Sequence, residues 1–250
     1  AIDSPTEITI ELPQPLIAGF ALGQQFQLLG QPGEPMKITR HDSSGQFRLA
    51  KPLPKGTPIG QAIEIAFDVE APILAARIAT GTPAAQALPP MVMHLATTRG
   101  TNALLEEKGA EVTLFITRGF EDLLVIGDQK RPDLFALNVQ KQAPLNANVV
   151  GINERLDALG QVLRPLNLPQ PKPPKNENQS AAIVCLHSHR NPEHEQRLAK
   201  HIRDAGWQHV SVSSDLASVI KVLPRAETTV VDAYLSPIMT RYLESVEREL

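Results

Sequence analysis

Two short stretches of the chain hold residue types that could do chemistry. The first is Thr97-Thr98-Arg99-Gly100-Thr101-Asn102, where an apolar run over residues 91–96 gives way to a helical pattern over 102–108. Free backbone N–H groups and the dipole at a helix start favour an anion. Thr97, Thr98, Arg99, Gly100, Thr101 and Asn102 are therefore candidate substrate contacts for a carboxylate or phosphate. The same residues also suit a purely structural turn, in which Thr101 or Asn102 caps the helix and the other hydroxyls satisfy the loop.

The second stretch runs from Cys185 to Glu195, at the end of an apolar run and the start of a helix. Three histidines, a cysteine and two glutamates so close together invite a metal reading. Neither an H-x-x-x-H nor a C-x-x-C pair occurs, however, so no metal ligand is assigned. On a strand His187 and His189 would share a face, and Asn191 with Pro192 is explained by helix capping. His187, Ser188, Asn191, His194 and Glu195 stand as a second candidate cluster, suited to a substrate or subunit contact or to a structural corner.

Other chemistry is missing. The sequence has no G-x-x-x-x-G-K-[ST], no G-x-G-x-x-G, no Asp-x-Gly-Gly-Thr and no serine elbow, and Thr80-Gly81-Thr82-Pro83 reads as a helix terminator. Cys185 lies in an apolar strand, where a raised thiol pKa is expected. No residue is assigned a catalytic role.

These stretches need elements to position them. Residues 1–67 read as a small β-rich unit: Ile8, Ile10 and Leu12 alternate with polar residues, and 25–29, 37–40 and 63–67 continue the style. Asp42-Ser43-Ser44-Gly45 joins 38–40 to 46–49 as a hairpin, and Pro13, Pro15, Pro32, Pro35, Pro52, Pro54 and Pro58 cut the unit into short pieces. A helix over 69–79 ends at Gly81.

From Met91 the pattern alternates. A buried strand over 91–96, a helix over 102–108 stopped by Gly109 and a strand over 112–116 make a βαβ unit. A short helix over 120–126, a polar connection with Arg131-Pro132-Asp133, and a strand and hairpin over 149–163 follow. After the Pro-rich 168–180 come a strand over 181–186, a helix from Asn191 to Gly206, a strand over 209–213 and a helix over 228–250 kinked at Pro237. The expected class is α/β, a mixed sheet with crossover helices plus the N-terminal β-rich unit. The expected divisions are 1–67, 68–167, a linker over 168–180, and 181–250.

Composition bounds the partners. With 250 residues, 42% hydrophobic and 20% charged, the chain is expected to fold around one large core or two modest ones. Its formal charge is −3 and its basic residues are scattered, which argues against nucleic acid. The longest apolar runs fall far short of the roughly 20 residues that span a bilayer, so the chain reads as soluble with no membrane partner. A single cysteine suits a reducing, cytoplasmic setting. The first residue is Ala and the last residues continue a helical pattern, so a segment of a longer chain is expected.

The motif set is similar to the hydantoinase A / 5-oxoprolinase family. The resemblance is carried by the 97–106 stretch with Lys108-Gly109-Ala110, by Ile116-Thr117-Arg118-Gly119-Phe120-Glu121-Asp122-Leu123-Leu124 with Ile126-Gly127, and by Arg131-Pro132-Asp133-Leu134-Phe135. Glu154-Arg155-Leu156-Asp157, the 187–195 stretch and Thr228-Thr229-Val230-Val231-Asp232-Ala233-Tyr234-Leu235 follow in family order, so the resemblance covers about residues 69–250. It implies ATP-dependent opening of a cyclic amide, 5-oxoproline to glutamate or a hydantoin, with ketone-carboxylating relatives and a role in glutathione metabolism. It also implies a lobe of actin-like ATPase or sugar-kinase type, ATP and Mg²⁺ as cofactors, a small cyclic amide as substrate, and a B-type subunit or fused B half as partner.

The phosphate loops of the family are not in this sequence, so an interior fragment of the A-type subunit, inactive alone, is expected. Residues 1–67 lie outside the family's common core, the Pro-rich stretch replaces a usual helix, and Asp232 stands where Asn is usual. The alternatives are part of a ketone carboxylase and a non-catalytic scaffold that holds a partner. The oligomeric state is open, a homo-oligomer included.

Overall fold

Alternation of apolar and polar residues before Phe67 builds one antiparallel sheet. In this computed structural model, which describes residues 2–11, 16–30, 33–128, 143–217 and 219–250, its strands are β1 (Ile2–Ser4), β2 (Glu7–Thr9), β3 (Gln25–Leu28), β4 (Met36–His41), β5 (Gln46–Leu49) and β6 (Ile63–Ala66). They pair in the order β1-β2-β5-β4-β3-β6. Period-2 burial turns Ile8, Phe26, Ile38, Phe47 and Leu49 into a core on one face.

The expected hairpin forms. Asp42 Oδ1 accepts hydrogen bonds from Ser44 N at 3.0 Å and Gln46 N at 3.1 Å. Gly45 has φ +80°, and a Cβ there would lie 2.8 Å from Ile10 O, so the turn needs glycine. Helix α1 (Ala71–Thr80) carries Pro72 in its first turn and ends at left-handed Gly81, φ +64°. Leu12, Pro13, Pro15, Pro32 and residues 131–135 lie outside the described residues.

Residues 91–96 are not the expected strand. They pair with no strand among the described residues, and Val92 is 85% exposed. An apolar run marks a preference for burial, but a strand also needs a neighbour for its backbone N–H and C=O groups. The βαβ unit expected over 91–116 is thereby replaced.

The sheet of the second unit is built from later elements: α2 (Arg99–Leu105), β7 (Glu111–Thr117), α3 (Leu123–Ile126), β8 (Asn146–Leu156), β9 (Val162–Asn167), β10 (Gln179–Val184), α4 (Glu193–Asp204), β11 (His209–Val212), α5 (Ser213–Leu216) and α6 (Val222–Glu249). The strand order is β11-β10-β7-β8-β9. The first four strands are parallel and β9 is antiparallel to β8, which makes the mixed α/β sheet that the alternation implied.

Both faces are covered. Phe115, Ala181 and Ile183 pack against Leu198, Ala199 and Ile202 of α4, while Leu114, Ala182 and Val184 pack with Ala226, Val230 and Ala233 of α6. This two-sided burial explains why β10 reads as a continuous apolar run rather than an alternating one.

The 168–180 stretch is not a boundary between units. β9 and β10 on either side of it belong to one sheet, and Trp207 Nε1 donates to Lys172 O at 3.0 Å. The chain divides instead into Ala1–Ala96 with Tyr242–Leu250, and Thr97–Arg241. α6 begins earlier than residue 228 and runs through Pro237, which removes one backbone donor inside the helix.

Candidate functional site

The carboxyl ends of β7, β8 and β10 converge on a buried polar network. Glu154 of β8 is 1% exposed, and both its oxygens are used. Oε1 accepts the Thr117 hydroxyl and Oε2 lies 2.7 Å from His194 Nδ1. Thr117 Oγ1 in turn accepts Leu186 N at 2.8 Å.

Where β10 ends, its backbone loses its sheet partners, and side chains replace them. Cys185 N donates to Glu195 Oε1 at 2.6 Å, and Cys185 O accepts Arg225 Nη2 at 2.7 Å and Ser188 Oγ at 3.0 Å. Glu195 also accepts Ser213 Oγ at 2.6 Å and Ser214 N at 2.8 Å. The backbone N–H and C=O of Cys185 are thus satisfied by side chains at this strand end, while Arg225 Nε is left with no partner. Burial, then the nearby Glu195 and Glu154 charges, push the Cys185 thiol well above its ordinary pKa, so it is a buried, inert side chain rather than a nucleophile.

This network fixes the second candidate cluster but changes its layout. Ser188, His194 and Glu195 are buried inside it. Asn191 binds outward, its Oδ1 accepting Glu193 N at 3.1 Å and its Nδ2 donating to Gly160 O at 3.0 Å, which ties the corner to the β8–β9 hairpin. His187 and His189 are not on a strand. They lie in a turn where His187 takes φ +62°, a left-handed conformation uncommon for a residue with a Cβ. The ring centroids are 6.1 Å apart. Thr117, Glu154, Ser213 and Arg225 were missing from the sequence-derived candidates, although Thr117 and Glu154 sit within stretches that carry the family resemblance.

The first candidate cluster lies elsewhere. α2 begins at Arg99, so Thr101 and Asn102 are inside the helix and cap nothing, and Thr98 at the N-cap position makes no side-chain cap bond. Thr97 Oγ1 accepts Arg99 N at 3.2 Å. Thr97, Thr98, Arg99, Thr101 and Asn102 are exposed. Gly100 packs on α6, where a Cβ would lie 3.7 Å from Leu235 and Met239.

The turn over 97–102 therefore does not sit at the carboxyl end of a strand, as an α/β reading with a strand over 91–96 implied. α6 runs back across the sheet: Arg225 meets the carboxyl end of β10, and Tyr234 O accepts Ala110 N just before β7 begins. Leu235 lies roughly 15 Å along α6 from Arg225 at about 1.5 Å per residue, so the structure does not bring the two clusters together.

The residues present do not fit a nucleoside triphosphate. Among the described residues no glycine-rich turn opens a helix, and two of the helices that start at the carboxyl edge have acidic first turns, Glu193 and Glu195 in α4 and Asp215 in α5. No group of three or more His, Cys, Asp and Glu side chains among the described residues is arranged to hold a metal ion. No described helix is long and apolar enough to cross a membrane. Asp232 accepts Ser211 Oγ at 2.6 Å through Oδ2, a bond that the amide oxygen of an Asn would also accept.

Residues 74–206, more than half of the chain and including both clusters, match the family profile described as the hydantoinase/oxoprolinase N-terminal region. The chain belongs to the hydantoinase/oxoprolinase family. It is similar to the 5-oxoprolinase of Saccharomyces cerevisiae, 34% identical over 190 residues that cover 63% of this chain and 15% of that protein. Its similarity to 5-oxoprolinase 1 of Arabidopsis thaliana is 36% over 175 residues, 60% of this chain and 14% of that protein. Among solved structures, the ATP-dependent caprolactamase from Pseudomonas jessenii is 31% identical with a TM-score of 0.48, over 60% of this chain and 23% of that one. The chain thus spans about one seventh of the length of these two 5-oxoprolinases, 14–15%.

Proposed function

We propose that the chain serves an ATP-dependent enzyme that opens a cyclic amide, of the 5-oxoprolinase type. One observation carries the reading: the family match over residues 74–206 takes in both polar clusters as one continuous stretch. Because the described residues offer no triphosphate cradle, ATP and Mg²⁺ are assigned to other segments of a larger protein or to a B-type partner. The reading also implies a cytoplasmic setting, a place in glutathione turnover and a lobe of actin-like ATPase type.

Within it, the exposed turn over 97–102 contributes to substrate binding. The Thr98, Thr101 and Asn102 side chains make no hydrogen bond among the described residues, which leaves them available, and Arg99 supplies a planar donor for a carboxylate. The buried network around Glu154 and Glu195 holds the opposite corner rigid.

The test is ATP turnover by the complete protein, driven in parallel by 5-oxoproline, a hydantoin and an aryl ketone. Turnover with 5-oxoproline is the expected result. Turnover with the ketone alone points to the carboxylase alternative, and none with any of the three leaves the scaffold reading. In the active protein Arg99→Ala is expected to lower kcat/KM at least tenfold, about 1.4 kcal/mol of transition-state stabilisation, with an unchanged melting temperature. Normal kinetics in that variant would remove the turn from the site.

A further inference from the structure

Arg225 is wholly buried, yet no carboxylate among the described residues forms an ion pair with it. Its guanidinium donates to Cys185 O at 2.7 Å and reaches His189 Nδ1 at 3.4 Å, and its Nε has no partner. Glu195 acts on Arg225 only through its charge, without direct contact. Buried charges are ordinarily paired directly, so this guanidinium behind a half-buried imidazole calls for an explanation.

A guanidinium can only donate, so His189 Nδ1 must present its lone pair and the proton of the neutral ring sits on Nε2. That edge makes no hydrogen bond among the described residues. We propose that the turn carrying His187, His189 and Arg190 binds an oxyanion, a carboxylate or a phosphate group, with His189 Nε2–H as the directed donor and Arg225 as its positioning residue.

The surroundings fit this ligand class. The charged groups that act on the ring are Arg225 of α6 and Arg190 and His187 of its own turn, and together with burial, the largest cause, they hold its pKa below the ordinary value. Glu195 of α4 faces Cys185 and is committed to Cys185 N, Ser213 and Ser214. A neutral donor beside the Arg225 and Arg190 guanidiniums disfavours a metal ion and favours an oxygen anion. Left-handed His187 sets its own ring 6.1 Å from that of His189, a spacing that one carboxylate or phosphate can bridge. The turn is braced at Cys185 and Leu186 by Glu195, Arg225, Ser188 and Thr117, so little ordering remains to be done on binding.

The inference goes beyond the amidase reading and is tested without turnover. Imidazole ¹⁵N–¹H spectra of the 250-residue chain are recorded at neutral pH while inorganic phosphate or acetate is added. The expected results are an Nε2–H tautomer at His189 and a saturable shift with at least one probe, the stronger arm naming phosphate or carboxylate as the source. His189→Phe, on a half-buried ring, is expected to weaken that binding at least tenfold while the His194 signals stay in place.

Arg225→Met is expected to mix the His189 tautomers. If that variant does not fold, the wild-type tautomer and His189→Phe decide. An Nδ1–H tautomer in the wild-type chain, no saturation with either probe, or unchanged binding in His189→Phe would overturn the site. A complete protein inactive on cyclic amides would leave it standing.

Discussion

Glu154 shows how closely the corner depends on single atoms. Its two oxygens serve Thr117 and His194, and no water reaches any of the three. Glu154→Ala would strand a hydroxyl and an imidazole in the interior, and breaking such a buried pair costs about 3–5 kcal/mol. Glu154→Gln keeps an acceptor and a donor in place and should lose less. Urea unfolding measures both, and a loss in the alanine variant below about 1 kcal/mol would mean that the network is not what holds the strand ends.

His194 and Glu195 were legible as a polar pair in a helix first turn, but their partners were not. Thr117 falls just after the strand expected over 112–116, and Arg225 falls before residue 228, where the helix was expected to start. Side chains that satisfy a strand end are defined by which strands end together, and that is a property of the sheet rather than of any one segment.

Elements were more legible than the contacts between them. The 38–49 hairpin, α1 with its glycine stop, and the apolar β10 all follow from local pattern. The strand over 91–96 failed because the apolar run carries no information about a partner, and the turn over 97–102 moved with it. The helix expected over 102–108 with a stop at Gly109 instead ends at Leu105, with Glu107 left-handed at φ +54°, and Gly109 is needed for another reason: a Cβ there would fall inside the ring of Tyr234, which is 6% exposed and fixed in the α6 face of the core. Gly109→Ala is expected to cost about 1–3 kcal/mol by overpacking, whereas Gly33→Ala, with open space around it, should be nearly neutral. Equal melting temperatures for the two variants would show that Tyr234 can move aside.

At the scale of the molecule, the antiparallel sheet and the mixed sheet have separate cores, Phe26, Ile38 and Phe47 in one and Leu114, Ile183 and Leu198 in the other. Separate cores predict two calorimetric transitions, and titration can tell them apart. His41 is 4% exposed, stacks on Phe47 at 4.3 Å, accepts Ala21 N at Nδ1 and has no partner at Nε2. Burial lowers its pKa from the ordinary 6.5, and the charge of Asp42 offsets this only in part. As pH falls through 6.5 the unfolded chain takes up a proton that the folded chain refuses. The stability due to this group is therefore full above that pH and declines until the lower folded pKa is reached.

Going from about pH 7.5 to about pH 5.5 should thus lower the melting temperature of the antiparallel unit, and His41→Phe should remove that part of the shift. The same substitution should leave the pH response of the mixed-sheet transition unchanged, while Glu154→Ala should move only that transition. A single transition that responds to both substitutions would mean that the two cores melt as one.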